Sequence, residues 1–386
     1  MQRLFLPVGQ GAFYCEKFSD EDSHGKVNVV YDCGSISGLS VLKSMIEWAF
    51  EEGEAIDGVF ISHLHEDHVN GLPILMRRCR VKRVYLPMIH DSDLALMLLG
   101  YIVGRHPKPL PYENLKDEYR ITERFVEDIL ANPTEAFQSY NVEVEVVPIS
   151  QGEVEQSRIA RNISAAIFED RSREDDARQW IYEPFNIAHG IEAENVRRKF
   201  IEQFAMEATA QNVAKIIEDI SKLRDASKKK EFSRIRDLYK GIKGGFNAGS
   251  MTLYSGGADS AMRQYPDVDK SALERFDCKI PEATASGCLY TGDFIASENR
   301  PYWTELRKAF NKYWSNVGCV QIPHHGSFGN FNDEILNMAA YNVISVGFGN
   351  MYHHPSNAVL SKYQTRRTFP FVVTQNPSSM FSTTIV

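Results

Sequence analysis

The stretch FISHLHEDHVNG, residues 60–71, places His63, His65, Glu66, Asp67 and His68 within six consecutive positions directly behind an apolar run. The whole chain of 386 residues holds 11 histidines, so three within six positions is not a chance density. The bland alternative is a polar surface turn with incidental histidines. On an extended segment His63 and His65 alternate and point the same way, and a following turn can swing Asp67 and His68 into the same space. Neutral imidazoles and a carboxylate suit borderline divalent ions such as zinc. Two adjacent metal positions can be seeded in this way, His63 with His65 and Asp67 with His68. Glu66 has no ligand role in that arrangement and is expected to point elsewhere.

A site of this kind needs rigid elements beneath it. RLFLPV, AFYCEKF and KVNVVYDCGS read as short strands separated by turn residues. SVLKSMIEWAFEEG (40–53) has helical spacing at Val41, Met45, Trp48 and Ala49 and a glycine stop. DGVFISH is a strand that runs straight into the histidine turn, LPILMRRC a helix and VKRVYLP another strand. Strand and helix alternate, which points to α/β layering.

The middle of the chain differs. From about residue 191 to 243, Val196, Phe200, Phe204, Val213, Ile216, Ile217 and Ile220 recur at helical spacing without a proline, which predicts one or two long helices. Residues 221–245 hold nine Lys and Arg against three acidic residues, a net of +6, in a chain whose total is −8. The rest therefore carries −14, and a local reversal that large can serve as a footprint for a polyanion; a solvated helix face is the plainer reading. Lys228, Lys229, Lys230 and Arg234 are the candidate nucleic-acid contacts. After Gly244 and Gly245 the chain returns to short strands, so one domain spanning 1–386 with a basic helical insertion over about 191–243 is expected.

Composition bounds the rest. A hydrophobic fraction of 43% and a charged fraction of 24% are those of a soluble globular protein. The longest uncharged apolar run, LALMLLGYIVG (94–104), has 11 residues, too few to span a bilayer and better suited to a core helix. The N-terminal residues lack the pattern of a signal peptide. Six scattered cysteines, none in a CxxC pair, predict buried thiols in a reducing cytoplasm and no membrane partner.

The HxHxDH spacing of residues 63–68 resembles the metallo-β-lactamase superfamily, and other segments extend the likeness. VVYDCGS (29–35) is similar to the superfamily's early strand ending in aspartate, which implies that Asp32 lies beneath the metals and orients their ligands. CLYTGDF (288–294) resembles the strand that ends in a bridging carboxylate, here Asp293, and QIPHHGS (321–327) resembles the late histidine motif. VGQG (8–11), HHGS and VISVGFGNMYHHPSNAVL (343–360) are together similar to the metallo-β-lactamase domain of DNA-uptake competence proteins. NAGSMTLY (247–254) resembles the Asn-x-x-Ser stretch of those proteins and implies supporting roles for Asn247 and Ser250. Ala12, His65 and His353 depart from the competence pattern, which has aspartate, aspartate and glycine there. Those proteins also carry a membrane channel that has no counterpart in this sequence, so the resemblance implies hydrolase chemistry and not DNA import.

The resemblance implies a four-layer αββα sandwich of the α/β class, covering residues 1 to about 90 and about 245 to 386. It also implies two divalent ions, zinc or manganese, one held by His63, His65 and Asp293, the other by Asp67, His68, Asp293 and His325. His325 is preferred to His324 because the superfamily's last ligand tends to precede a glycine. His324 and His354 would then contact phosphate or hand a proton to the leaving oxygen, and Asp67 could help orient a hydroxide. Two ions about 3.5–4 Å apart lower the pKa of a shared water and neutralise charge on a phosphoryl group. The expected activity is a phosphodiesterase acting on DNA, for instance as an effector in defence against foreign DNA. Hydrolysis of a nucleotide, cyclic nucleotide, other phosphoester or lactone is the alternative. So is a regulatory subunit that docks a protein partner through its helices.

Overall fold

The computed structural model describes residues 1–19, 26–105, 117–150, 180–187, 190–223, 225–239, 250–257, 261–268, 281–299, 301–366 and 368–386. Strands β1 (Gln2–Phe5), β2 (Gly11–Ser19) and β3 (Lys26–Ser35) form an antiparallel meander. The β-rich runs after it are β4 (Ala55–Ile56), β5 (Gly58–Phe60), β6 (Arg80–Val81), β7 (Arg83–Pro87) and β8 (Glu145–Ile149). Of these, β5, β7 and β8 extend the meander in parallel, while β4 pairs with β6. Next come β9 (Trp180–Phe185), β10 (Thr252–Gly257), β11 (Arg263–Pro266), β12 (Thr284–Ala285) and β13 (Gly287–Tyr290). The last strands are β14 (Val317–Gln321), β15 (Tyr341–Ser345), β16 (Phe371–Val373) and β17 (Phe381–Ile385). One sheet has nine strands in the order β12-β11-β17-β1-β2-β3-β5-β7-β8, the other six in the order β16-β15-β14-β13-β10-β9.

The two-residue period of these strands divides their side chains between two cores. In β3, Val29 and Tyr31 face the second sheet, where they join Tyr182, Cys288, Tyr290 and Cys319. Val30 and Cys33 face outward onto helices α1 (Leu39–Ala49) and α3 (Leu72–Arg78), between which the short α2 (Glu66–Val69) lies. In β13 and β14, Leu289 and Val320 face a second outer layer that includes Trp303 and Leu306. The layers therefore run α, β, β, α, the sandwich expected of the sequence. Cys15, Cys33, Cys79, Cys288 and Cys319 are buried thiols as expected, and Cys278 lies outside the described residues.

Helix α1 ends at Ala49 rather than 53, and its buried stripe is Leu39, Leu42, Ile46 and Ala49. The predicted stripe through Val41, Met45 and Trp48 is the wrong one of two that overlap in this window, and Trp48 is 56% exposed. Contact with β3 selects between them.

Helix α4 (Asp91–Arg105) contains the apolar run 94–104, and α5 (Asp117–Ala131) and α6 (Pro133–Gln138) come after it. Leu94 and Met97 of α4 enter the core under the first sheet, while Leu96, Leu99 and Val103 enter a separate cluster. That cluster is completed by three helices, α7 (Gly190–Phe204), α8 (Ala210–Ser221) and α9 (Asp225–Tyr239), where one or two were expected. The chain breaks at Ala205, whose φ is +54°, and restarts at Thr209, whose side chain caps the N–H of Asn212. No proline marks that break. The helices leave and return between β9 and β10, which are antiparallel neighbours. No helix among the described residues is long and apolar enough to cross a membrane.

Candidate metal centre

The centre lies where β3, β5, β13 and β14 end at one edge of the sandwich. After β5 the chain passes Ser62 and His63, stays extended at His65, and turns into α2. That helix rests directly on β3: a Cβ on Gly34 would lie 2.5 Å from the backbone carbonyl carbon of Asp67 and 2.5 Å from the amide nitrogen of His68. Glycine at 34 is therefore what lets the histidine turn sit above Asp32. Asp32, His324 and His325 are non-glycine residues held at φ values of +54°, +47° and +55°. Such backbone costs on the order of 1–3 kcal/mol each and persists where its surroundings over-determine it.

Two groups of donors result. His63, His68 and Asp293 offer ligand atoms within 4.8 Å of one another, and so do Asp67, His68 and His325. Oδ1 of Asp293 stands 3.3 Å from Nε2 of His68, and its Oδ2 stands 3.7 Å from Nε2 of His63. Nε2 of His325 is 3.3 Å from Oδ2 of Asp67 and 3.9 Å from Oδ1 of Asp293. His68 thus belongs to both groups and Asp293 approaches both. His65 lies beside the first group, with its ring centroid 4.6 Å from that of His63, outside both sets of three.

The hydrogen bonds behind the rings assign their tautomers. Nδ1 of His68 donates to Asp32 at 2.8 Å, and Nδ1 of His325 donates to the carbonyl of Ser345 at 2.8 Å. The hydroxyl of Ser62 donates to Asp32 at 2.7 Å, which leaves its oxygen to accept from Nδ1 of His63 at 3.0 Å. All three imidazoles then turn Nε2 toward the carboxylates, and Nε2 of His63 is buried without a hydrogen bond. Unprotonated imidazole nitrogens converging on two carboxylates fit a divalent ion, with the outer nitrogens fixed in the way metal ligands require.

Electrostatics agrees. Burial raises the carboxyl of Asp293, but His324, His68 and His63 overcome it and hold the group well below the usual carboxylate range. Asp67 is likewise held down by His68 and His325 against its burial. Burial lowers His68, yet Asp32, Asp293 and Asp67 outweigh it and hold the ring well above its ordinary value, so without an ion its Nε2 holds a proton, whose place a divalent ion would take. Burial depresses His63 and His65. Burial and then the neighbouring His324 and His325 push His354 down to about 4, which keeps its ring neutral at pH 7.

The other anticipated residues are divided between the centre and the helices. Ser250 accepts from the amide of Asp293 at 3.0 Å and stands 3.3 Å from Nδ1 of His63; Asn247 lies outside the described residues. Nε2 of His324 is 3.6 Å from Asp293, and its ring lies 5.6 Å from that of His354. His324 and His354 line a cavity of about 570 Å³ together with Glu66, which belongs to neither donor group, as the sequence reading expected. Arg234 donates to the carbonyl of Gln203 at 2.7 Å and lies over the ring of Phe204, so its guanidinium ties α9 to α7. The ammonium of Lys228 lies 5.9 Å from the ring of Phe232, Lys230 is exposed, and Lys229 is in the same helix. The apolar faces of α7, α8 and α9 pack on one another and on α4.

Sequence reading passed over two supporting residues. Ser62 also donates its amide to Asp32 at 2.7 Å, and Gln321 accepts from the amides of Thr291 and Gly292, each at 2.7 Å, bracing the loop that carries Asp293. Both sit in quoted motifs, one position before His63 and at the head of QIPHHGS, and only the fold shows what they hold. Because Asp32 fixes His68, Asp32→Asn is expected to weaken zinc affinity by about 10–100-fold while the fold persists. Competition with a chromophoric chelator measures this, and unchanged affinity would remove Asp32 from the centre.

Residues 22–146 match the family model described as the metallo-beta-lactamase superfamily. Ribonuclease J of Mycoplasma pneumoniae is 30% identical over 70 residues, which is 17% of this chain and 12% of that protein. The aligned stretch thus spans a small part of that relative's length. Asp293 and His325 lie outside residues 22–146 and reach the histidine turn only through the fold. The histidine turn and the αββα layering agree with this match to a metallo-β-lactamase superfamily domain over residues 22–146.

Proposed function

We propose that this chain is a metal-dependent phosphodiesterase that cleaves nucleic acid, with DNA as the first substrate to test. The observation that carries the reading is the pair of ligand groups joined through His68, with Asp293 between them, at the wall of an accessible cavity. His63, His68, His325, Asp67 and Asp293 would hold two divalent ions, zinc or manganese, with His65 beside them. Ions bound there lower the pKa of a water molecule and offset negative charge on a phosphoryl oxygen. Asp32, Ser62 and the carbonyl of Ser345 orient the rings before substrate arrives. His324 and the neutral His354 face the cavity and are assigned to hydrogen-bond the phosphoryl group. Likeness to a protein named a ribonuclease supports nucleic acid as the substrate class and makes RNA a required arm of the test. Lys228, Lys229 and Lys230 are proposed to meet the polyanion outside the cavity.

The purified protein is incubated with Zn²⁺ or Mn²⁺ and labelled single-stranded DNA, duplex DNA, RNA and a nucleotide panel, beside Asp67→Ala. Cleavage is expected to vanish with chelator and to fall by at least about 100-fold in Asp67→Ala. Equal cleavage by both proteins would sink the proposed centre. Reversing the charges of Lys228, Lys229 and Lys230 is expected to weaken binding and flatten its salt dependence; an unchanged slope detaches these helices from the substrate.

A further inference from the structure

The cavity at the metal centre has two unlike ends. One holds the His and Asp cluster. The other is apolar and built by residues that belong to none of the motifs: Met97 and Tyr101 of α4, Leu130 of α5 and Tyr239, the last residue of α9. Met97, Gly100 and Tyr101 stand at i, i+3 and i+4, so one face of α4 turns toward the cavity.

Tyr239 ties the three-helix segment to that wall. Its hydroxyl donates to the carbonyl of Leu96 at 2.6 Å, and a Cβ on Gly100 would lie 3.1 Å from its ring. The chain that leaves the sandwich after β9 therefore comes back, at the end of α9, to close the cavity beside the metal ligands. No lysine or arginine is among the described residues lining it, so the two phosphate backbones of a duplex meet no cation inside. An alkyl chain would be served by aliphatic walls alone. Here two tyrosines flank Met97 and Leu130, and a third, Tyr352 at the exposed rim, stacks on His354 with planes 17° apart. Aromatic rings and a thioether suit a flat π-face, and in a polynucleotide only the base has one.

We infer that this apolar end takes one unpaired nucleoside of the substrate, next to the scissile phosphate, and that the α7–α9 segment sets substrate choice by closing it through Tyr239. The inference rests on the phosphodiesterase reading. Hydrolysis there places a water oxygen on phosphorus, breaks the P–O ester bond, and passes the water's proton to the leaving oxygen. A base held in a duplex is excluded, whereas a strand end or a free dinucleotide enters.

Two esters with the same leaving group separate the parts: thymidine 5′-(p-nitrophenyl phosphate) and methyl p-nitrophenyl phosphate. Metal-loaded wild type is expected to prefer the nucleoside ester in kcat/KM by about 5- to 150-fold, the range typical of stacking one base on aromatic side chains. Met97→Trp, which fills the chamber, and Tyr101→Ala, which removes a stacking face, are expected to bring that ratio toward one, chiefly through KM, with bound metal per protein unchanged. Tyr101→Phe should keep the preference. Calorimetry with thymidine 5′-monophosphate against inorganic phosphate reads the chamber without turnover, and the nucleotide should bind more tightly in wild type and Tyr101→Phe but not in Met97→Trp or Tyr101→Ala. Single-stranded and blunt duplex oligonucleotides and a dinucleotide then distinguish the sources of the nucleoside. Equal kcat/KM on the two esters, or a preference that survives both Met97→Trp and Tyr101→Ala, overturns the inference. Hydrolysis of neither ester by metal-loaded protein, with the nucleotide still bound preferentially, overturns the phosphodiesterase reading and leaves the chamber standing.

Discussion

Replacing Asp293 by alanine is expected to lower kcat/KM on nucleic acid by on the order of 10³-fold and to cut the metal bound per protein. Its two oxygens stand within 3.9 Å of Nε2 of His63, His68, His324 and His325. Its removal would leave these imidazoles facing one another with Asp67 as the remaining carboxylate of the two groups. The effect should be chemical and not structural. The main chain at 293 is held independently of the carboxylate, its amide by Ser250 at 3.0 Å and its carbonyl by the side chain of Asn330 at 2.9 Å. Metal analysis, steady-state rates and near-UV circular dichroism on the same preparation separate the two. A variant that keeps more than about a tenth of the rate would take Asp293 out of the centre.

Arg3→Met should produce the largest loss of stability, about 3–5 kcal/mol, without touching the centre. Arg3 is fully buried between the sheets, with Nε 2.8 Å from Glu16 and Nη1 2.8 Å from Gln264. Glu16 also accepts from the hydroxyls of Tyr182, Ser255 and Tyr290 at 2.8, 2.6 and 3.0 Å. Methionine fills much of the same volume but leaves Glu16 charged or protonated in an apolar layer, with one strong partner gone. Thermal and denaturant unfolding measure the loss, expected as a fall of several degrees in Tm. The double variant Arg3→Met/Glu16→Leu removes the stranded charge and should recover much of the stability, because a buried ion pair contributes little beyond its own desolvation. If Arg3→Met alone unfolds like wild type, the network does not hold the sheets together.

Much of the sandwich was legible in the residues. Short apolar runs bounded by turn residues mark β3, β5 and β7, and HLHEDH soon after β5 announces candidate ligands, because that density of imidazole and carboxylate has few other uses. Local patterns misled where two answers were locally equivalent. The window of α1 offers two apolar stripes, and only the position of β3 decides that Ile46 is buried and Trp48 is not. The break at Ala205 has no proline to announce it. A run of lysine and arginine in the sequence likewise does not reveal that Arg234 is bound to α7.

The sequence by itself determined which candidate ligand types are present and their order along the chain, since these are read from neighbours within a few positions. Only the tertiary structure decided how the ligands group. His68 joins both sets, and His65 stands outside them, because Asp32 and Ser62 orient the rings from behind while α2 rests on Gly34. The same holds for the apolar end of the cavity. Its walls come from α4, α5 and the last residue of α9, separated by up to 142 positions between Met97 and Tyr239. No local period encodes that meeting; it arises from the packing of α4 against two cores at once.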